Sequence, residues 1–568
     1  MIEDMQQPAA LTGRITAGEA FLRRLADNGV EYFFANAGTD FAPIVEGIAR
    51  AGQAGFAIPQ TLVVPHENAA LGMAHGYYLA TGRPQAVMVH TNVGLANAVM
   101  GTINAASDQV PILLSSGITP MLDDGVTGHR TSSVAWGQNM RDQLGMVRDT
   151  TKWDGVLAFP EQAADLVDRA FAAAMSHPRG PVYLGLPRET LCGEVELTQT
   201  PPRNAPTSVA PSPVDIARAA DLLDRAERPL IIAQRGSGAP DPEAFARLGR
   251  FVEDHAIAVV ELAPSRLALS GFSPMHAGFD PGSEIAQADV ILVLDVTVPW
   301  WPHRHHPAPG VKVIQAGPDP HHLRTPVRSF PADVTLAGNG ADVIDALAQA
   351  MPKRDRSARF AAIAARTQAQ REAALAPAAP SEGIMTSALV SQAIARLAGD
   401  RGRVVTELGA RIGPMRFAHA DQFYANPISG GLGWGLPAAL GVQLADRDRL
   451  VIATLGDGSY MFANPVACHQ IAEALSLPLL IVIFNNGVWN AVRSSTLGIY
   501  SDGYAARANT VPLTSLEPAP DYCKVAEASR AWTARVESAE ELEATLAEAA
   551  RVIREERRQA LVEVKVRI

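Results

Sequence analysis

At 568 residues the chain is too long for one hydrophobic core, and about three domains are expected. A composition of 47% apolar and 19% charged residues is ordinary for a soluble enzyme, and the net charge of −11 argues against nucleic acid as the main partner while leaving room for a local basic patch. No apolar run is long enough to span a bilayer, and the opening MIEDMQQPAALTGR lacks the basic start and apolar core of a signal peptide. The three cysteines, Cys192, Cys468 and Cys523, match no disulfide framework or zinc spacing, so a reducing cytoplasm is the expected location.

In chain order, Ala17 to Asn28 has the pattern of an amphipathic helix. The apolar runs Tyr32–Phe34, Ala86–Val89, Ile112–Leu114 and Val182–Pro187 read as buried strands of a first α/β domain, set at 1–195. A Pro-, Thr- and Ser-rich stretch from 198 to 213 reads as a linker. The second α/β domain, 214–350, has strands at Pro229–Ala233, Ala258–Glu261, Val290–Leu294 and Val311–Ile314. Residues 352 to 382 read as helix and linker. The third domain, 383–568, closes on the strand Ala560–Val564. The predicted fold class is α/β, three successive doubly wound parallel-sheet domains.

The third domain holds the sharpest motif. Leu450–Leu455 is apolar on both faces, as a buried parallel strand is, and Gly456-Asp457-Gly458-Ser459 follows at its C-terminal end, where open α/β sheets bind ligands. A helical stretch at 463–476 leads to a second apolar run, Leu479–Phe484, which ends in Asn485-Asn486-Gly487. Asp457 offers a hard anionic oxygen and Asn486 a neutral carbonyl oxygen, a pair suited to a magnesium diphosphate. The glycines let backbone N–H groups approach phosphate. GDG alone would be an ordinary turn; followed by the Asn pair on the next strand it points to that site.

With these motifs the chain resembles the thiamine diphosphate (ThDP) enzymes of the acetolactate synthase, pyruvate oxidase and benzoylformate decarboxylase superfamily, over nearly its whole length. The resemblance implies pyrimidine-binding, central and diphosphate-binding domains. It implies that Asp457, Asn486 and the Val488 carbonyl hold Mg²⁺, with Gly456, Gly458 and Ser459 around the diphosphate. It also implies a homodimer or homotetramer with the cofactor between pyrimidine- and diphosphate-binding domains of different chains.

Glu67 lies in His66-Glu67-Asn68-Ala69-Ala70 at a helix start. Taken alone, a Glu there compensates a helix dipole. The resemblance gives it the family's task of hydrogen-bonding N1′ of the aminopyrimidine, which leads to the C2 ylide and makes the cofactor an electron sink. The stretch Ser429–Pro437 is a glycine-rich turn into a helix. By resemblance Gly430 binds the 4′-amino group and Leu432 wedges the two rings together, which is catalysis by positioning. The loop Thr406–Arg411 takes the place of another diphosphate-contacting turn.

The substrate side rests on the same resemblance. Thr39 stands where benzoylformate decarboxylase has a substrate-binding serine, and it and neighbouring Asp40 are the expected substrate contacts, in a stretch where Ala37 replaces the usual proline. His90, opening His90–Asn97, matches a catalytic histidine of that decarboxylase and departs from the GPG of acetolactate synthases. The other reading of His90 is a structural cap at a strand end; an imidazole titrating near neutrality suits proton transfer. His305 aligns with a second active-site histidine, with His303 and His306 as alternatives and a metal site or a solvated loop as competing readings. Gln138 stands where acetolactate synthases have an active-site glutamine, and Trp489 and Val492 are expected to shape the pocket. FAD is not expected, although Arg235-Gly236-Ser237-Gly238 opens a glycine loop in the central domain.

The expected activity is therefore a ThDP- and Mg²⁺-dependent cleavage or formation of a C–C bond on a 2-oxo acid, as decarboxylase or acetolactate synthase-like carboligase. The alternatives are a 2-hydroxyacyl-CoA lyase or oxalyl-CoA decarboxylase-like enzyme, whose sequences Thr39-Asp40 resembles, and a non-catalytic subunit of the same fold, against which Glu67, Asp457 and Asn486 speak.

Overall fold

A computed structural model of the chain describes residues 13–197, 200–202, 205–234, 241–376, 385–508 and 510–567. The glycine loop of the central domain, Arg235 to Gly238, lies outside them. The chain forms two compact units, one of Met1–Tyr78 with Gly82–Thr207 and the other of Leu79–Thr81 with Ser208–Ile568.

In the first unit the strands are β1 (Arg14–Thr16), β2 (Tyr32–Asn36), β3 (Gln60–Val63), β4 (Gln85–Val89), β5 (Ile112–Ile118), β6 (Asp154–Val156), β7 (Val182–Pro187) and β8 (Glu194–Glu196). β1 and β8 form a short antiparallel ribbon; the other six form one parallel sheet in the order β3-β2-β4-β5-β7-β6. Every residue of β4 and β7 is buried, as a strand covered by helices on both faces must be. The core packs Phe21, Leu22 and Leu25 of the helix Ala17–Asp27 against Phe33, Met88 and Leu184 of the sheet. Thr16 caps that helix by accepting from the Glu19 N–H, and Glu19 reaches back to the Thr16 N–H.

The second unit has two sheets. β9 (Pro229–Ala233), β10 (Ala258–Glu261), β11 (Val290–Leu294), β12 (Lys312–Gly317) and β13 (Val334–Ala337) run parallel in the order β10-β9-β11-β12-β13. β14 (Arg403–Glu407), β15 (Phe423–Ala425), β16 (Val451–Gly456), β17 (Leu480–Asn485), β18 (Trp532–Val536) and β19 (Ala560–Lys565) run parallel in the order β15-β14-β16-β17-β19-β18.

All three parallel sheets start from an inner strand, add the second on one side and the third on the other. The chain therefore reverses direction between β2 and β4, between β9 and β11, and between β14 and β16, and open sheets bind ligands beyond the strand ends at such points. Register sets what meets there. Asn36 pairs with Val89, so the loop after β2 and the loop after β4 begin at one level. Glu407 pairs with Leu455 and Gly456 with Phe484, so the turns that follow β14, β16 and β17 also begin together.

Candidate functional site

In the first unit β2 runs into Ala37-Gly38 and a 3-10 turn, Thr39–Phe41, while β4 ends at Val89 and passes into His90, the residue before the helix Thr91–Ser107. The His90 Nδ1 lies 2.5 Å from an Asp40 carboxylate oxygen, and the Gln138 side-chain nitrogen lies 3.1 Å from His90 Nε2. Asp40 is buried, His90 half-buried and Thr39 exposed. A Cβ on Gly38 would run into the His90 ring and one on Gly117 into the Asp40 carboxylate, so both glycines are there for close approach. The Asp40 hydrogen bond holds the His90 imidazole above its ordinary pKa against the opposing effect of burial, and Glu67 adds to the shift.

Glu67 is the first residue of the helix Glu67–Thr81, capped by the His66 side chain, which accepts from the Asn68 N–H. Its carboxylate accepts from the Asn97 side chain at 3.2 Å, and a Cβ on Gly94 would sit 3.2 Å from its other oxygen. Glu67, His90, Asp40 and Gln138 thus share the carboxyl end of one sheet.

In the second unit Asp457 begins the short helix Asp457–Phe462 at the end of β16 and is 3% exposed. One carboxylate oxygen accepts from the Gly487 N–H at 2.7 Å and the Asn486 N–H at 3.2 Å, the other from the Gly458 N–H at 2.8 Å. The two motifs are therefore one structure, with the Asn pair folded onto the aspartate. Burial pushes the Asp457 carboxyl up while these three donors pull it down, with a net upward shift. Asn486 Oδ1 accepts from the Val488 N–H. Trp489 packs edge-on to Phe462 and stands so close to Gly458 that a Cβ there would enter its ring; Val492 is exposed on the following helix, Asn490–Ile499.

A residue that sequence reasoning placed only inside a turn holds this end together. Glu407, last in β14, is fully buried, and its carboxylate accepts from the backbone N–H groups of Gly433 (2.8 Å), Trp434 (2.7 Å) and Gly435 (2.5 Å), and from the Ser459 side chain. It joins the turn after β16 to the glycine loop that carries exposed Gly430 and half-buried Leu432. Burial outweighs these donors and pushes its pKa up to about 7. Gly430 and Gly433 have φ of +67° and +89°, the left-handed region glycine alone enters freely. No spacing signal marks Glu407, because its partners lie on a loop far along the chain.

His305 is buried, whereas His303 and His306 are exposed. Its ring stacks on Trp301, Nδ1 accepts from the Trp301 N–H at 3.1 Å, and Nε2 lies 3.2 Å from Asp280. It lines a cavity of about 770 Å³ together with His276, Arg304, Arg416 and Met415. Among the described residues no three His, Cys, Asp or Glu side chains cluster as a metal site. One carboxylate, one amide and one backbone carbonyl would not form such a cluster, and that hard oxygen set at Asp457 fits a magnesium diphosphate.

Three parallel α/β sheets, with an acidic turn at the switch point of the third, define an α/β fold with a ligand site at its strand ends. The chain belongs to the thiamine pyrophosphate enzymes: residues 15–146 match their N-terminal TPP binding domain, 216–347 their central domain and 406–564 their C-terminal TPP binding domain. It is 29% identical to a probable 2-ketoarginine decarboxylase AruI of Pseudomonas aeruginosa, over 85% of this chain and 84% of the relative. It is 25% identical to an acetolactate synthase large subunit of Haemophilus influenzae, over 94% and 92%. A thiamine diphosphate-dependent 4-hydroxybenzoylformate decarboxylase of Rhodococcus jostii superposes with a TM-score of 0.79 at 21% identity, covering 98% of this chain and 99% of that one. The chain is an enzyme of this family. Among the described residues no helix is long and apolar enough to cross a membrane.

Proposed function

We propose that the chain is a ThDP- and Mg²⁺-dependent enzyme that releases CO₂ from a 2-oxo acid and gives the remaining carbon either a proton or an acceptor carbonyl. The observation that carries this reading is His90, an imidazole held between Asp40 and Gln138 at the sheet end that also carries Glu67. When bound, ThDP supplies a nucleophilic carbon and a sink for the electron pair that CO₂ leaves behind.

The protein's residues divide the rest. Asp457, Asn486 and the Val488 carbonyl take the Mg²⁺, and Gly456, Gly458 and Ser459 face the diphosphate. Glu407 fixes the loop from which Gly430 and Leu432 orient the cofactor rings. Glu67 shares a proton with the aminopyrimidine N1′. His90 Nε2 delivers a proton to the carbon that loses CO₂, so that a 2-oxo acid and one proton give an aldehyde and CO₂. Thr39, His305, Trp489 and Val492 shape the substrate side.

We place the domain bounds at 1–195, 214–350 and 383–568, and the working unit is a homodimer or a dimer of dimers. Three free cysteines, Cys192, Cys468 and Cys523, suit a reducing cytoplasm. The relative named for 2-ketoarginine makes basic 2-oxo acids the first substrates to try.

The test is CO₂ and aldehyde release from basic, aromatic and branched 2-oxo acids, with acyl-CoA thioesters in parallel. Turnover of at least one 2-oxo acid, reduced ~10²–10⁴-fold in His90→Gln, is expected. Turnover confined to thioesters would overturn the reading.

A further inference from the structure

We infer that Asp40 is a positioning residue that fixes the tautomer of His90, presenting Nε2 as the working ring nitrogen, and does not itself touch substrate. The inference rests on the reading of His90 given above. Asp40 is 4% exposed and sits behind the ring, reaching Nδ1. Its other oxygen accepts from the Thr91 N–H at 3.4 Å, so the carboxylate is aimed by the residue that follows His90.

A carboxylate only accepts hydrogen bonds, and a neutral imidazole has one N–H. The 2.5 Å contact therefore places that hydrogen on Nδ1 and leaves the lone pair on Nε2. Gln138 is arranged to match: its amide nitrogen, a donor, faces Nε2 at 3.1 Å. Gly38 and Gly117 leave no room for a Cβ at the ring or at the carboxylate, so the pair is packed in from both sides. The charged groups facing His90 are Asp40 and Glu67, both anionic, and both favour its protonated form. An imidazole so held takes a proton and releases it through Nε2 alone.

Asp40→Asn is the informative variant. The Thr91 N–H claims the amide oxygen, which turns the amide NH₂ toward Nδ1 and makes Nδ1 the acceptor. The tautomer should then reverse, with the hydrogen on Nε2. The experiment uses the full-length protein with ¹⁵N-labelled histidine, free of cofactor and substrate, with the His90 signals identified by their loss in His90→Gln.

Wild type should show a protonated Nδ1 and a bare Nε2 in the neutral ring. Asp40→Asn should show the reverse, a lowered His90 pKa, and a kcat reduced about 10²-fold with KM within about threefold. A wild-type ring protonated on Nε2 overturns the inference without any variant. An Asn variant that keeps the wild-type tautomer and pKa overturns it too, even with activity lost, since a merely structural role would give that pattern. These signals are read without turnover. If His90→Gln still released CO₂ at the wild-type rate, the reading of His90 as proton donor would fail while the tautomer result stood.

Discussion

Glu407 offers the hardest test of how this site is built. At pH 8, above its elevated pKa of about 7, it is a buried carboxylate that receives three backbone N–H groups and the Ser459 side chain. Glu407→Gln keeps the shape but replaces one acceptor oxygen by a donor. If the amide oxygen keeps Trp434 and Gly435, its NH₂ faces the Gly433 N–H. That leaves two buried donors unpaired, at ~1–3 kcal/mol each, or about 2–6 kcal/mol in all. The loop from Gly430 to Gly435 can escape this cost by moving, and that motion displaces the residues proposed to seat the cofactor rings. Restoring the loop on binding then weakens ThDP affinity by about one to four decades, at about 1.4 kcal/mol per decade. The assay is a ThDP titration at saturating Mg²⁺, followed by calorimetry and by tryptophan fluorescence, since Trp434 and Trp489 flank the loop and the acidic turn. Amide exchange at residues 433–435 should quicken in the variant. A Kd within twofold of wild type, with unchanged exchange there, would refute the clamp and mean that the carboxyl is held protonated.

Glu67→Gln should retain ThDP, because the Mg²⁺-diphosphate anchor is proposed at Asp457, yet slow deuterium exchange at C2 of the bound cofactor by ~10²–10⁴-fold; exchange at the wild-type rate would return Glu67 to a mere helix-start carboxylate. His469, buried between the Tyr460 hydroxyl (2.7 Å) and the Gln559 side chain (2.8 Å), has its pKa lowered by burial to about 4. A histidine kept neutral by the fold contributes stability above its unfolded pKa of 6.5 that is lost as pH falls toward 4, about 3 kcal/mol when complete. Histidine NMR should show it titrating well below 5, and a midpoint near 6.5 would refute the burial argument.

The parts of the fold legible in sequence were the covered strands. β4, β7, β9, β11 and β17 are near-continuous apolar runs because helices cover both faces of the sheet. The strands not legible were mostly at edges. β3, β6, β13, β15 and β18 are three to five residues long, and all but β15 alternate or sit half-exposed, so no run marks them. β14 is central and wholly buried but holds only two apolar residues between Arg403 and Thr406. Helix bounds moved little: the stretch expected from Ala17 to Asn28 runs Ala17–Asp27, and that expected at 463–476 runs Pro465–Ala474.

The same division runs through the site. Asp457 and Asn486 stand out in sequence as candidates because each sits in a compact motif at a strand end, and the structure adds that the two motifs touch. Asp40, Glu407 and His305 were ambiguous because their meaning lies in partners far along the chain: His90 for Asp40, the Gly433–Gly435 backbone for Glu407, Asp280 and Trp301 for His305. Asp40, beside Thr39, is expected on the substrate side, and its burial against His90 supports the positioning role proposed above. The strand order supplies the missing step. Once β2 and β4 are known to flank a switch point in register, the loop after Asn36 must meet the residue after Val89, and Asp40 and His90 become partners by topology. β14 and β16 do the same for Glu407 and Ser459. Sequence names the reactive groups; register decides which of them act through one another.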